Sequence, residues 1–276
     1  MQTTSTPAVA TQFVTSRDGT RIAYERHGNG PPLILVDGAM GFRAFGGAPH
    51  LASLLAPSLT VYCYDRRGRG ESGDTPPVAL EREIEDIDAL IDMAGGRVSL
   101  YGISSGGALA LEAAAALGEK VARLALYEIP YDGSAEGIER WHGYCSELDR
   151  LVTEGRGGDA VELFMRFVGA GDEGVARMRS QPVWATFERV GPTLPYDAAA
   201  LGPDRVVPVE RAAAVTAATL VMDGSESLAI MPFMRESAGA LVRVIPHAEH
   251  RVIEGQSHEV AAEAIAPVLA EFLSRD

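Results

Sequence analysis

The segment Gly102-Ile103-Ser104-Ser105-Gly106 has the G-x-S-x-G spacing that can present a serine for nucleophilic attack. Before it, Arg97 to Tyr101 reads as a short buried strand; after it, the alanine- and leucine-rich run Gly107 to Leu117 reads as a helix. A strand, a sharp glycine-flanked turn and a helix together raise a hydroxyl above a sheet edge, with a helix N-terminus behind it that favours developing negative charge. Ser104 is therefore the candidate nucleophile. The competing reading is a glycine-rich strand-to-helix turn without chemistry. Serine is inert until a base takes its proton. Of the six histidines, His258 follows the last strand-like segment and precedes the final helix, at the sheet end where Ser104 should lie. His247 and His250 fall near the start of that strand, His27 follows an early strand, His50 lies in the short helical segment Pro49–Leu55, and His142 in a helical interval.

The histidine needs a carboxylate to orient it. In the expected chain order of serine, acid and histidine, three residues qualify. Glu128 ends the strand after the elbow helix, Asp223 ends the next strand, and Glu226 lies just beyond it. A carboxylate at a strand tip before Pro130 has little structural reason to be there, which favours Glu128; Asp223 could be a turn-former before Gly224. A tetrahedral intermediate also needs backbone donors. The Ser105 N–H is one; Gly38 or Ala39, in Asp37-Gly38-Ala39-Met40-Gly41, supplies the other. Met40, in the same loop, is a candidate substrate contact.

These residues need a frame to hold them. Phe13–Arg17 and Arg21–His27 flank Asp18-Gly19-Thr20 as a hairpin, and Leu33–Val36 and Thr60–Tyr64 are apolar runs suited to strands buried on both faces. Glu81–Met93 has the apolar spacing of an amphipathic helix, Ala122–Tyr127 is a further strand, and Arg66 to Gly73 is a loop. From Pro130 to about Val207 strand-like text disappears, leaving helical pieces at Gly137–Thr153, Asp159–Gly169, Glu173–Arg179 and Pro182–Val190. Strands resume at Ala218–Asp223 and His250–Ile253, with helices at Pro232–Leu241 and Glu259–Leu273. The alternation predicts an α/β fold with a mostly parallel, doubly wound sheet whose site lies at the carboxyl ends of the strands. The expected organisation is a core of residues 1–130 and 208–276, with residues 131–207 as a helical cap over those ends.

The 276 residues are 46% hydrophobic and 22% charged, an ordinary globular composition, and the formal charge of -14 speaks against nucleic acid or an anionic membrane as partner. Cys63 and Cys145 are far apart and form neither a disulfide framework nor a metal-ligand cluster. No basic start leads into an apolar run and no apolar stretch reaches spanning length, so the expected location is cytoplasmic. Oligomeric state is not legible.

Together the Asp37-Gly38 loop, the segment Asp65-Arg66-Arg67-Gly68-Arg69-Gly70-Glu71-Ser72, the elbow and Gly255-Gln256-Ser257-His258 resemble the α/β-hydrolase superfamily, from about Phe13 to Phe272. The resemblance implies eight strands and a helical cap inserted after the sixth. Two departures stand out. The usual acid after the seventh strand falls near Ser227 and is missing, and the usual loop histidine is Asp37. Both departures are similar to the zearalenone lactonase branch, in which the acid is a glutamate ending the sixth strand, as in Glu128-Ile129-Pro130, and the elbow reads Ser-Ser-Gly. Gly171 to Arg177 and Pro182 to Ala185 also resemble cap segments of those enzymes, which makes Trp184 a candidate substrate contact.

The expected function is cofactor-free and metal-free hydrolysis of a small-molecule carboxylic ester or lactone through Ser104, His258 and Glu128, with an acyl-enzyme intermediate. The alternatives are a binding or receptor protein on the same fold with little turnover, and C–C hydrolysis or perhydrolysis by the same residues.

Overall fold

A computed structural model describes residues 9–275; the N-terminal segment in which no secretion signal was read lies partly outside them. Eight strands form one sheet: β1 Gln12–Thr15, β2 Arg21–His27, β3 Pro32–Val36, β4 Thr60–Tyr64, β5 Val98–Ile103, β6 Val121–Tyr127, β7 Ala218–Gly224 and β8 Ala248–Ile253, in the order β1-β2-β4-β3-β5-β6-β7-β8. The first hairpin pairs antiparallel and β2 joins β4 antiparallel; every later pairing is parallel.

Side-chain alternation along the central strands divides the core in two. Leu33 and Leu35 of β3 face a layer containing Leu51, Ala52, Ile265, Leu269 and Phe272, from α1 (Ala48–Leu55) and the C-terminal helix Ala262–Leu273. Ile34 and Val36 point the other way, toward Ile87, Leu90, Leu109 and Leu111 of α2 (Leu80–Met93) and α3 (Ser105–Leu117). With both faces covered, β4 is buried at all five positions, which explains its unbroken apolar sequence.

Between β6 and β7 lie α4 (Ala135–Thr153), α5 (Gly157–Phe167), α6 (Asp172–Arg179), α7 (Trp184–Val190), α8 (Leu194–Leu201) and the short α9 (Val209–Ala213). Two of these escape the sequence pattern, α8 because Pro192 and Pro195 read as breakers. Pro195 instead occupies the first turn of α8, where a missing N–H costs nothing. After β7 come α10 (Ser227–Ile230), α11 (Phe233–Val244) and α12 (Ala262–Leu273). The last helix starts three residues later than the sequence suggests, leaving His258 to Ala261 as loop. No helix among the described residues is long and apolar enough to cross a membrane.

Candidate active site

Ser104 stands between β5 and α3 with φ +56° and ψ −132°, a left-handed conformation that a residue with a Cβ adopts only under strain, on the order of 1–3 kcal/mol. Its N–H bonds to the Tyr127 carbonyl at 3.0 Å, so β5 stays tied to β6 up to the candidate nucleophile. Glycine is required where the turn is tightest: a Cβ on Gly106 would lie 2.3 Å from the Val36 carbonyl oxygen. Gly38 approaches from the other side, and a Cβ there would sit 3.0 Å from the Ser104 Cβ. Among the described residues the Ser105, Gly38 and Ala39 N–H groups have no hydrogen-bond acceptor, and all three residues border one cavity with Ser104.

Glu128 also adopts a left-handed backbone, φ +46°, just past the end of β6, where its N–H bonds to the Met222 carbonyl at 3.0 Å. Its side chain is buried. Oε2 lies 2.9 Å from His258 Nδ1 and Oε1 accepts from the Gly224 N–H at 2.8 Å. Burial alone would raise the carboxyl pKa, but the bonds from His258 and Gly224 outweigh it and hold Glu128 below its ordinary value. The buried Ser227 hydroxyl lies beside the same carboxylate and lowers it further, although its geometry falls short of a full hydrogen bond. The histidine loop is pinned by Tyr127 Oη, which donates to the Ser257 carbonyl at 2.6 Å, and by Gln256 Oε1, which accepts from the Ala261 N–H at 2.9 Å.

The two other candidate acids are elsewhere. Asp223 is buried with both oxygens engaged, one by Arg235 Nε and one by His250 Nε2. Glu226 is solvent-exposed at the start of α10. His258 and Ser104 line the same cavity, of about 1040 Å³, though no hydrogen bond joins them in this structure. Catalytic contacts of this kind commonly tighten only once substrate is bound. Among the described residues, no group of three or more His, Cys, Asp or Glu is placed to hold a metal ion.

Two sequence-based contacts need correction. Trp184 does not line the cavity: its ring is buried within the helical insert and its indole N–H bonds to Glu188 Oε1 at 2.8 Å. The tryptophan that borders the cavity is Trp141 of α4. Met40, with φ +64°, is buried in the core and is likewise absent from the lining, while its neighbours Ala39 and Gly41 belong to it.

Sequence reading missed the charged frame beneath the loop at Gly38. Arg66 and Arg69 are fully buried. Both bond to Asp197 of α8, Arg66 Nη1 to Oδ1 at 2.6 Å and Arg69 Nη2 to Oδ2 at 2.6 Å. Arg66 also forms a fork with Glu83 and reaches the Asp37 carbonyl, and Arg69 Nη1 donates to the Gly38 carbonyl at 2.8 Å. The Ser105 hydroxyl donates to Asp197 Oδ1 at 2.8 Å. One carboxylate of the insert thus ties the arginines that hold the Gly38 loop to the residue after Ser104. Burial would raise the pKa of Asp197, but the two arginines overcome it and keep the carboxyl below its ordinary value. Its stabilisation is therefore present above the unfolded carboxylate pKa and is lost as pH falls through the lower folded value. Asp197→Asn leaves two buried guanidinium groups short of a counter-charge, so urea unfolding at neutral pH should show a loss of about 3–5 kcal/mol.

Asp37 behaves oppositely. Burial pushes its pKa up to about 6, against the pull of Arg69 and Arg66. From about pH 4 to 6 the folded chain holds a proton that the unfolded chain releases, so this residue's contribution to stability falls as pH rises through that window. Asp37→Asn should raise stability by roughly 1–2 kcal/mol at pH 8, discounted for partial exposure, and by almost nothing at pH 4. Thermal unfolding at the two pH values measures the difference.

Strand order, elbow and histidine loop together define an α/β hydrolase fold, and comparison with known proteins agrees. Residues 27–263 match the Alpha/beta hydrolase family, and the chain belongs to that family. It is 49% identical to an alpha/beta hydrolase from Sphaerobacter thermophilus DSM 20745, with a TM-score of 0.82 over 95% of this chain and 100% of that one. It is 26% identical to a thermophilic esterase from Thermogutta terrifontis, TM-score 0.70, over 96% and 98% of the two chains. Among curated proteins it is similar to Serine hydrolase BPHL of Mus musculus, 36% identical over 104 residues, and of Homo sapiens, 30% identical over 144 residues. Those matches cover 36% and 50% of this chain, and the chain spans only 36% and 45% of the length of those two relatives.

Proposed function

We propose that this hydrolase cleaves a carboxylic ester or lactone through Ser104, His258 and Glu128, with no cofactor. The observation that carries the reading is the 2.9 Å contact of His258 Nδ1 with the buried Glu128, while His258 and Ser104 border one cavity. Held at Nδ1, the ring has Nε2 free to take the Ser104 proton as Oγ attacks the carbonyl carbon. The carbonyl π electrons move onto oxygen, which the Ser105 N–H and the Gly38 or Ala39 N–H stabilise. Collapse breaks the acyl C–O bond, and the imidazolium returns the proton to the leaving alkoxide. Water then repeats the sequence on the acyl-enzyme and releases the acid. In a lactone the alcohol stays tethered, so the product is one hydroxy acid.

Within this reading the helices between β6 and β7 act as a cap: Trp141, Tyr144, Phe164 and Phe167 supply an apolar wall above the serine. The lactone preference rests on Glu128 directly after β6, on Asp37-Gly38 and on the Ser-Ser-Gly elbow, with a cavity large enough for a ring. A panel of short acyl esters, long acyl esters and macrocyclic lactones tests it. Selective turnover of lactones supports the branch; activity confined to short esters reduces the likeness to shared descent, and no turnover at all favours a binding protein.

A further inference from the structure

The cap side of the cavity carries two arginines that have a single carboxylate partner between them among the described residues. Arg205, in the loop after α8, is 5% exposed and borders the cavity, as does Arg140 of α4. The guanidinium of Arg205 has one acidic partner, Asp132 Oδ2, at 3.2 Å from Nη2. Its Nε is shielded from solvent without an acceptor among the described residues, and Nη1 makes no hydrogen bond there either. Arg140 makes no ion pair among the described residues; its guanidinium lies 5.6 Å from the Phe167 ring centre, and Nη2 reaches the Phe167 carbonyl only at 3.4 Å. Three rings hold Arg205 in place, with centres at 5.5 Å (Trp141), 5.2 Å (Phe167) and 5.5 Å (Phe233).

Its backbone is strained as well. Arg205 has φ +52°, one of five non-glycine residues with positive φ among the described residues, in company with Ser104 and Glu128. Strain of this kind is kept where a side chain must be aimed. Burial and the neighbouring Arg140 both lower the Arg205 pKa, and an arginine side chain nonetheless stays charged. In a chain of net charge -14, Arg205 and Arg140 have only Asp132 as an acidic partner among the described residues, while Asp197 of the same lining is taken up by Arg66 and Arg69, which leaves a charge for a ligand to complete.

We propose that Arg205 and Arg140 form a carboxylate subsite on the cap side of the cavity, and that the natural substrate is an ester or lactone carrying a free carboxylate away from the scissile bond. The aromatic side chains would flank the apolar linker between the two groups. This rests on the serine-hydrolase reading only for the word substrate; the subsite itself is testable by binding.

The test compares mono-4-nitrophenyl suberate with 4-nitrophenyl methyl suberate, which differ only at the remote carboxyl group. The wild type should favour the acid about tenfold or more in kcat/KM, through KM, as expected for one charge-assisted hydrogen-bonded pair. That advantage should shrink as ionic strength rises. Arg140→Gln and Arg205→Gln should each reduce the acid-to-neutral ratio about tenfold, and Arg205→Lys should restore part of it. Arg140 is exposed, so its variant remains informative if Arg205→Gln does not fold. A wild-type ratio near one, or a ratio changed by neither variant, overturns the proposal. Calorimetry of suberate binding to Ser104→Ala separates this from the catalytic reading. Binding that weakens in the added Arg140→Gln change supports the subsite even if no ester is cleaved; no binding overturns it even if esters are.

Discussion

Ser104→Ala is expected to lower kcat for 4-nitrophenyl butyrate by about 10⁴–10⁶-fold, the loss seen when a nucleophile is removed from an otherwise intact serine site. Stability should barely change. The Ser104 hydroxyl has no hydrogen bond among the described residues, and alanine keeps the Cβ that already tolerates φ +56°. The elbow geometry is held by backbone, through Ser104 N–H to Tyr127 and through the glycine at 106, and the substitution touches neither. Activity within tenfold of wild type in a protein of unchanged melting temperature would mean that hydrolysis occurs elsewhere.

Glu128→Gln should be nearly as severe, about 10³–10⁴-fold in kcat, because an amide can offer the ring an N–H and so favour the wrong tautomer. The amide carbonyl can still accept from Gly224, so the backbone between β6 and β7 should persist. Asp223→Asn should leave kcat within about tenfold and act on stability instead, since its carboxylate holds Arg235 and His250 rather than His258. Glu226→Gln, on the exposed turn, should do little to either. A dominant loss at Asp223 would reassign the acid. The depressed Glu128 pKa adds a pH signature: the stability that the ionised group confers is present above the unfolded carboxylate pKa and is lost as pH falls through the lower folded value.

Local patterns were enough to nominate Ser104 as candidate nucleophile and His258 as candidate base. The elbow needs only a strand, two glycines and a helix, all adjacent in sequence, and His258 needs only to follow the last strand. The candidate acid was less legible because three carboxylates share the right chain order, and the choice depends on where two loops meet in space. Glu128 and His258 are 130 residues apart. The buried arginines were invisible for a different reason. Charged residues in a glycine-rich loop read as solvated, and nothing near Arg66 or Arg69 announces a partner such as Asp197, 131 and 128 residues away in a helix disguised by prolines. Trp184 shows the limit of likeness: in this chain its ring is enclosed by the insert, and Trp141, one α4 turn before Cys145 and stacked on Tyr144, faces the cavity.

The most direct test of the Ser104–His258–Glu128 assignment is reaction with a fluorophosphonate probe, followed by mass spectrometry of the labelled peptides. A single stoichiometric adduct on Ser104 is expected, forming far more slowly in His258→Ala and Glu128→Gln. A wild-type protein that stays unlabelled, or an adduct on another residue, would contradict it.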